Sequence, residues 1–205
     1  VGREYKTDAP SVTTIIGMLE KKGLHEWYDW KGDKECKKIV DESTKYGHVI
    51  HELLKDIWVD QRESLETLEV KTKGVDLWPY HKIKEWILAH HPQPPLLVDP
   101  PNGLYSKKHD FYGTPDFVGD FIADWKTSST PKTKDQKRER MFQYLMQLVG
   151  YAILFEENHG KWINVGYIVR ANKKHEFEEV KFTNLKKWKS YFLWLRKLYR
   201  QYRGK

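Results

Sequence analysis

Thiol chemistry is almost missing from this chain of 205 residues, in which Cys36 is the only cysteine. A single thiol excludes an internal disulfide and any zinc or iron–sulfur centre built on several thiolates. Long hydrophobic runs are missing as well. No stretch reaches the roughly 18 apolar residues of a membrane-crossing helix, so no membrane partner is expected. The opening VGREYKTDAPSV has no apolar signal region, and an intracellular, soluble protein is expected from it. There is no internal repeat, no low-complexity tract and no Gly/Ser-rich linker, which points to one domain over 1–205.

What is present narrows the classes further. Hydrophobic residues make up 39% and aromatic residues 14%, enough to bury a core rather than stay disordered. Lys and Arg number 36 against 29 acids, a net charge of +7, and such a balance favours polyanions, with nucleic acid first among them. Charge serving only solubility is the competing explanation. Nine histidines leave a site of oxygen and imidazole donors open to a metal.

Periodicity divides the chain at HPQPP, residues 91–95. Residues 1–95 read as mainly helical. PSVTTIIGMLEKKG opens a helix at Ser11 or Thr13 that weakens near Gly23; residues 33–58 and 77–90 carry helical apolar spacing. Residues 96–205 read as the sheet-bearing part. From Leu96 to Lys126 short alternating runs broken by DPPNG, YG and GD suggest a β-meander. ERMFQYLMQLVGYAILFEE, 139–157, is strongly helical, and KWINVGYIVR and EFEEVKF follow as strands. The last helix places Leu185, Trp188, Phe192, Leu195 and Tyr199 on one stripe, with Asn184 at its N-cap position and Tyr191 as a further packing residue. The expected fold is α/β, a mixed central sheet flanked by helices with a helical N-terminal part.

The segment GTPDFVGDFIADWKTSS, 113–129, sets two aspartates and a lysine in an apolar, strand-like context. Asp124 and Lys126 are two apart and share a face, while Ala123 and Trp125 point the other way. A strict two-residue hairpin at 119–120 would put Asp116 on the opposite face from Asp124. The two carboxylates meet only if the loop is odd in length or a bulge shifts one strand, and such an irregularity is expected near Pro115–Asp116 or Gly119–Phe121. Converging carboxylates suit magnesium or manganese, and a lysine beside them suits phosphate chemistry. A surface hairpin with an ordinary Asp124–Lys126 ion pair is the plain alternative.

G-x-P-D, eight residues from Asp116 to Asp124, then D-W-K-T-S resembles the PD-(D/E)xK nuclease superfamily and its restriction-endonuclease-like core. KYGHVIHELL, 45–54, is similar to the G-x-x-x-H element of RecB-like exonucleases, and QLVGY, 147–151, to their Q-x-x-x-Y helix. These motifs stand in the family's order over about half the chain. PSVTTII and the closing aromatic helix also resemble the mitochondrial genome maintenance exonuclease and its phage relatives. The resemblance implies a divalent-metal-dependent deoxyribonuclease, an exonuclease on single-stranded DNA or free ends. Its metal would be held by His51, Asp116, Asp124 and the Trp125 carbonyl, with Lys126 catalytic and Gln147 and Tyr151 positioning the site and the DNA backbone. Asp124 departs from the Glu of many members, and the absence of a cysteine quartet argues against an iron–sulfur version. A monomer is expected, and phage or viral origin with action in the host cell fits so compact a chain.

Several residues admit two readings. His51 on an apolar helix face reads as a core histidine without the family pattern. Gln143 competes with Gln147, which is preferred because Tyr151 follows it by four. His90 and His91 read as solvated helix-end residues. Lys132, Lys134, Lys137, Arg138 and Arg140 form a basic run beside the D-x-K strand, read as a phosphate-steering loop rather than a plain solvated face. Lys107, Lys108 and His109 form a smaller basic cluster. Trp27, Tyr28 and Trp30 suit either stacking on unpaired bases or core packing. Other outcomes open at this stage are a single-strand or flap endonuclease, an RNA nuclease, and a nucleic-acid-binding module with a dead site.

Overall fold

Ser11 starts the first described helix, α1 (Val12–Ile16), by accepting the Thr14 N–H at 3.0 Å. The fold is that of a computed structural model, which describes residues 8–19, 33–59, 74–91, 93–128 and 134–203, the side chains of 33, 35, 36, 56, 58, 59, 128, 134–139 and 203 excepted. The helix does not run on toward Gly23. It ends at Ile16 with Gly17 as its C-cap, once Val12, Ile15 and Ile16 are buried and a glycine would weaken any continuation. α2 (Asp33–Val59) and α3 (Trp78–His90) follow, the latter opening on Pro79, where a missing N–H costs nothing.

Among the described residues every strand lies after residue 96. The segment 96–126 is not one continuous meander. β1 (Leu97–Val98) skips two strands to pair with β4 (Phe117–Val118), while β2 (Leu104–Ser106) and β3 (Phe111–Gly113) form a separate hairpin. That hairpin is drawn off the sheet by packing on α4 and α1. A Cβ on Gly113 would lie 2.9 Å from Val12 and 3.0 Å from Tyr151, so only glycine allows the approach. β5 (Ile122–Ser128), α4 (Lys134–His159) and β6 (Val165–Asn172) make a parallel pair with a helical crossover, and β7 (Phe177–Thr183) returns antiparallel. The result is a mixed five-stranded sheet in the order β1-β4-β5-β6-β7 with helices on both faces, as expected of a restriction-endonuclease-like core.

Strand alternation sorts two cores. Val118, Ile122 and Ile168 face α4, α1 and the last helix, with Met146, Leu148 and Phe192 fully buried there. Ala123, Trp125 and Val169 face α2 and α3, against Ile50, Leu53, Ile83 and Trp86. The chain closes with a 3-10 turn (Leu185–Trp188) and α5 (Lys189–Arg203). Asn184 makes no side-chain cap there. It sits in the left-handed region at φ 55°, where asparagine is tolerated as the chain turns from β7 into the helix. Leu185, Phe192 and Leu195 are buried as the stripe requires, whereas Tyr191 is 54% exposed, because it lies off that stripe on the outer face. Among the described residues no helix is long and apolar enough to cross a membrane.

Candidate active site

The turn between β4 and β5 decides where the two aspartates point. Phe117 registers with Ala123 and Val118 with Ile122, leaving Gly119, Asp120 and Phe121 in the loop. The loop is odd, so extending the register one step sets Asp116 opposite Asp124 on the same face. Phe121 is buried against Phe117 and Tyr167, at ring separations of 5.2 and 4.9 Å, and the Gly119 N–H donates to the Phe121 carbonyl at 2.9 Å. His91 wedges beneath the turn and is only 8% exposed, with Nδ1 2.6 Å from the Gln93 carbonyl oxygen. It is therefore not a solvated helix-end residue: the chain leaves α3 there and folds the ring onto Phe117 and Phe121.

Around that turn the side chains are linked in two pairs. Asp116 Oδ2 accepts the Trp125 N–H at 2.8 Å, and Oδ1 lies 3.2 Å from Nδ1 of His51, which reaches in from α2. Asp124 Oδ1 accepts the Gln147 amide at 2.7 Å, and Oδ2 lies 2.5 Å from Lys126 Nζ. Oδ2 is buried, and its partner among the described residues is the Lys126 ammonium. The Gln147 amide also donates to the Tyr151 hydroxyl at 2.9 Å, across one turn of α4. Gln143 instead reaches the Leu19 carbonyl, at 3.4 Å, so Gln147 is the one at the aspartate.

The electrostatics follow from burial opposed by pairing. Burial, its largest influence, pushes the Asp124 carboxyl up to about 6; Lys126 works against this and Asp116 adds to it. Burial would also raise Asp116, but the His51 charge and hydrogen bond outweigh it and hold that carboxyl below its ordinary value. Burial would lower His51 and Lys126, and neighbouring carboxylates reverse both: Asp116 raises His51, and Asp124 then Asp116 raise Lys126. Lys126 is therefore a firmly protonated ammonium, a donor and counter-charge and not a base.

Two carboxylates, an imidazole and a nearby backbone carbonyl are the donor chemistry of a hard divalent cation, and the buried Oδ2, already held by a cationic group, is placed for positive charge. Among the described residues, though, no three Asp, Glu, His or Cys side chains are gathered as a ready-made cage. His51–Asp116 and Asp124–Lys126 satisfy one another instead.

Of the other expected residues, Lys132, Trp27, Tyr28 and Trp30 lie outside the described residues. Lys134, Lys137 and Arg138 are in the first turns of α4, without described side chains. The Lys107–His109 cluster is not beside the site: His109 Nε2 lies 3.5 Å from Glu157, ten residues and roughly 15 Å along α4 from Gln147. Arg170, unnoticed in sequence, is 7% exposed at the C-terminal part of β6 and joins Lys126, Thr127, Arg140, Gln143 and Tyr144 around a cavity of about 230 Å³. Its signal was an arginine ending the apolar run GYIV, which a purely structural strand would avoid.

No protein-family profile and no curated protein matches the chain by sequence. Similar solved structures include that of SSO0001, with a TM-score of 0.51 at 11% identity, covering 98% of this chain and 79% of that one. A phage-related exonuclease from Haemophilus somnus 129PT aligns at a TM-score of 0.42 and 13% identity, over 93% and 92% of the two chains. The alkaline exonuclease LHK-Exo from Laribacter hongkongensis aligns at 0.34 and 14%, over 62% and 68%. At 11% identity the likeness to SSO0001 bears on fold alone.

Proposed function

We propose that this protein is a divalent-metal-dependent deoxyribonuclease of the RecB-like PD-(D/E)xK type, acting on single-stranded DNA or frayed ends as an exonuclease. The observation that carries the reading is the three-residue turn that aligns Asp116 with Asp124 while Gln147 and Lys126 grip the latter. A structural ion pair would not need two near-buried carboxylates on one face. Their mutual repulsion, offset by the charges of Lys126 and His51, marks a place built for positive charge.

The cation, magnesium or manganese, would be held by His51, Asp116, Asp124 and the Trp125 carbonyl. When bound it supplies Lewis-acid polarisation of the phosphoryl group and acidifies water. The chain's own residues do the rest. Lys126, kept protonated by Asp124, donates to the phosphate and offsets charge as it develops there. Gln147 fixes the Asp124 carboxylate through Oδ1 and ties it to Tyr151, so that Oδ2 and Lys126 face the substrate together. The Trp125 N–H fixes Asp116 in the same way through Oδ2, leaving Oδ1 toward His51.

The test is a time course on end-labelled linear and on circular single strands, with magnesium or manganese, with and without chelator. The expected result is loss of the linear strand only, abolished by chelator and by Lys126→Ala. Cutting of the circle would make the protein a single-strand endonuclease of the same chemistry. Intact DNA that both wild type and Lys126→Ala still bind would replace the enzyme with a binding module. Matched RNA in the same assay decides between nucleic acids.

A further inference from the structure

β5 and β6 run parallel with Lys126 in register with Arg170, which places the two cations on neighbouring strands, about 4.8 Å apart in the backbone. Arg170 is 7% exposed, and a buried guanidinium is costly unless it is paired. Its partner is Glu178, in register on β7, whose Oε2 accepts from Nη1 at 2.7 Å. A guanidinium carries five N–H donors in a flat fork. Among the described residues Glu178 takes the one hydrogen bond Arg170 makes, and Arg170 also lines the 230 Å³ cavity.

The cavity's charge is one-sided. Lys126, Arg140 and Arg170 line it, with Thr127, Gln143 and Tyr144 as further polar groups, and among the described residues no carboxylate belongs to the lining. It is smaller than the roughly 300–1,000 Å³ of a site for a drug-sized ligand, so it suits a phosphate group better than a whole nucleotide. It shares Lys126 and Gln147 with the paired carboxylates and so lies directly alongside them.

We propose that Arg170 and Arg140 form a phosphate subsite adjoining the carboxylates, where Arg170, braced by Glu178, grips a nucleotide phosphate neighbouring the one that reacts. The identity of the ligand as a nucleic-acid phosphate rests on the nuclease reading; the preference for a phosphate does not. The planar fork matches two phosphate oxygens at once, which a lysine cannot do. Glu178 holds the fork's far edge and keeps the guanidinium from collapsing onto Asp124. Arg170 is thus a substrate-binding residue, and Glu178 a positioning residue.

The test measures binding of inorganic phosphate, thymidine monophosphate and a single-stranded oligonucleotide in chelator, where no cleavage occurs, to wild type, Arg170→Gln, Arg140→Gln and Glu178→Gln. Arg170→Gln should weaken all three ligands roughly tenfold, as loss of a charged hydrogen-bond pair does. It should also make the salt dependence of strand binding shallower by roughly 0.7. Glu178→Gln, which keeps an acceptor but loosens the brace on the fork, should weaken phosphate binding less than Arg170→Gln does, while lowering thermal stability. Strands with and without a terminal phosphate distinguish the source: equal weakening assigns an internal phosphodiester, and weakening confined to the phosphorylated strand assigns a terminal monoester. If Arg170→Gln does not fold, Arg140→Gln, on the partly exposed start of α4, should show the same salt effect.

Unchanged affinity and salt slope in the arginine variants, with both the Arg170 and Glu178 variants merely less stable, would overturn the proposal and leave a structural ion pair. That outcome alongside normal cleavage sinks the subsite and spares the nuclease. Lost phosphate binding in Arg170→Gln, with no cleavage by wild type, sinks the nuclease and spares the subsite.

Discussion

Asp124 makes the folded protein's stability depend on pH in a direction opposite to the usual carboxylate. The residue is 3% exposed, and burial, opposed by Lys126 and aided by Asp116, raises the carboxyl from 3.8 to about 6. In the unfolded chain it returns to its ordinary value. Between these two values the folded state holds more proton than the unfolded one, so stability falls as pH rises. The contribution is complete below the unfolded value and is lost as pH climbs through about 6. Roughly two pH units at about 1.4 kcal/mol each give roughly 3 kcal/mol. Asp116 is displaced downward and titrates below this window, while the upward displacements of His51 and Lys126 act above it.

The perturbation is Asp124→Asn, which keeps an acceptor for Gln147 and removes the titration. Urea unfolding in chelator, at intervals from pH 4.5 to 7.5, should show wild type losing stability relative to the variant by roughly 2–3 kcal/mol across the range. Titrations remote from the site cancel in the difference, and His51, which Asp124 helps to raise, adds to it in the same direction above its ordinary value. Parallel curves would refute the reasoning, because they would mean that Asp124 ionises as easily in the fold as in the open chain.

Other expectations follow from neighbouring contacts. Gln147→Leu strips the buried Asp124 Oδ1 of its donor and should cost about 1–3 kcal/mol in urea unfolding and most of the cleavage rate, whereas Gln143→Leu, which leaves that donor in place, should lower the rate far less. Gly119→Ala would set a Cβ 2.6 Å from His91 Cδ2 under the aligning turn, and should lower stability by roughly 1–3 kcal/mol together with activity; normal activity would show that the turn is not what aligns the aspartates. Added manganese should raise the melting temperature more at pH 7.5 than at pH 5, because protons compete for Asp124. Equal shifts would place the bound ion elsewhere.

Much of the architecture was legible because it is written in periodicity. The 26-residue α4 and the two long strands after it need only apolar spacing to declare themselves. The alignment of Asp116 and Asp124 was legible as a constraint: a two-residue hairpin would set them on opposite faces, so their meeting required an odd loop or a bulge, and Gly119 sits in the three-residue turn. The β2–β3 hairpin was not legible, since leaving the sheet depends on a close approach to α4 that no local pattern encodes. His91 was misread because its burial comes from Phe117 and Phe121, some 26 and 30 residues later, and sequence spacing carries no such contact. Arg170 was missed for the same reason: its meaning comes from the register with Lys126 across a crossover helix.

Calorimetric titration of manganese into the metal-free protein, at pH 7.5 and without DNA, addresses shared ligation by the two aspartates most directly. Binding to wild type that is weakened at least tenfold in Asp116→Asn and again in Asp124→Asn is the expected result. The same affinity in all three proteins, or DNA cleavage with no binding to wild type, would contradict it.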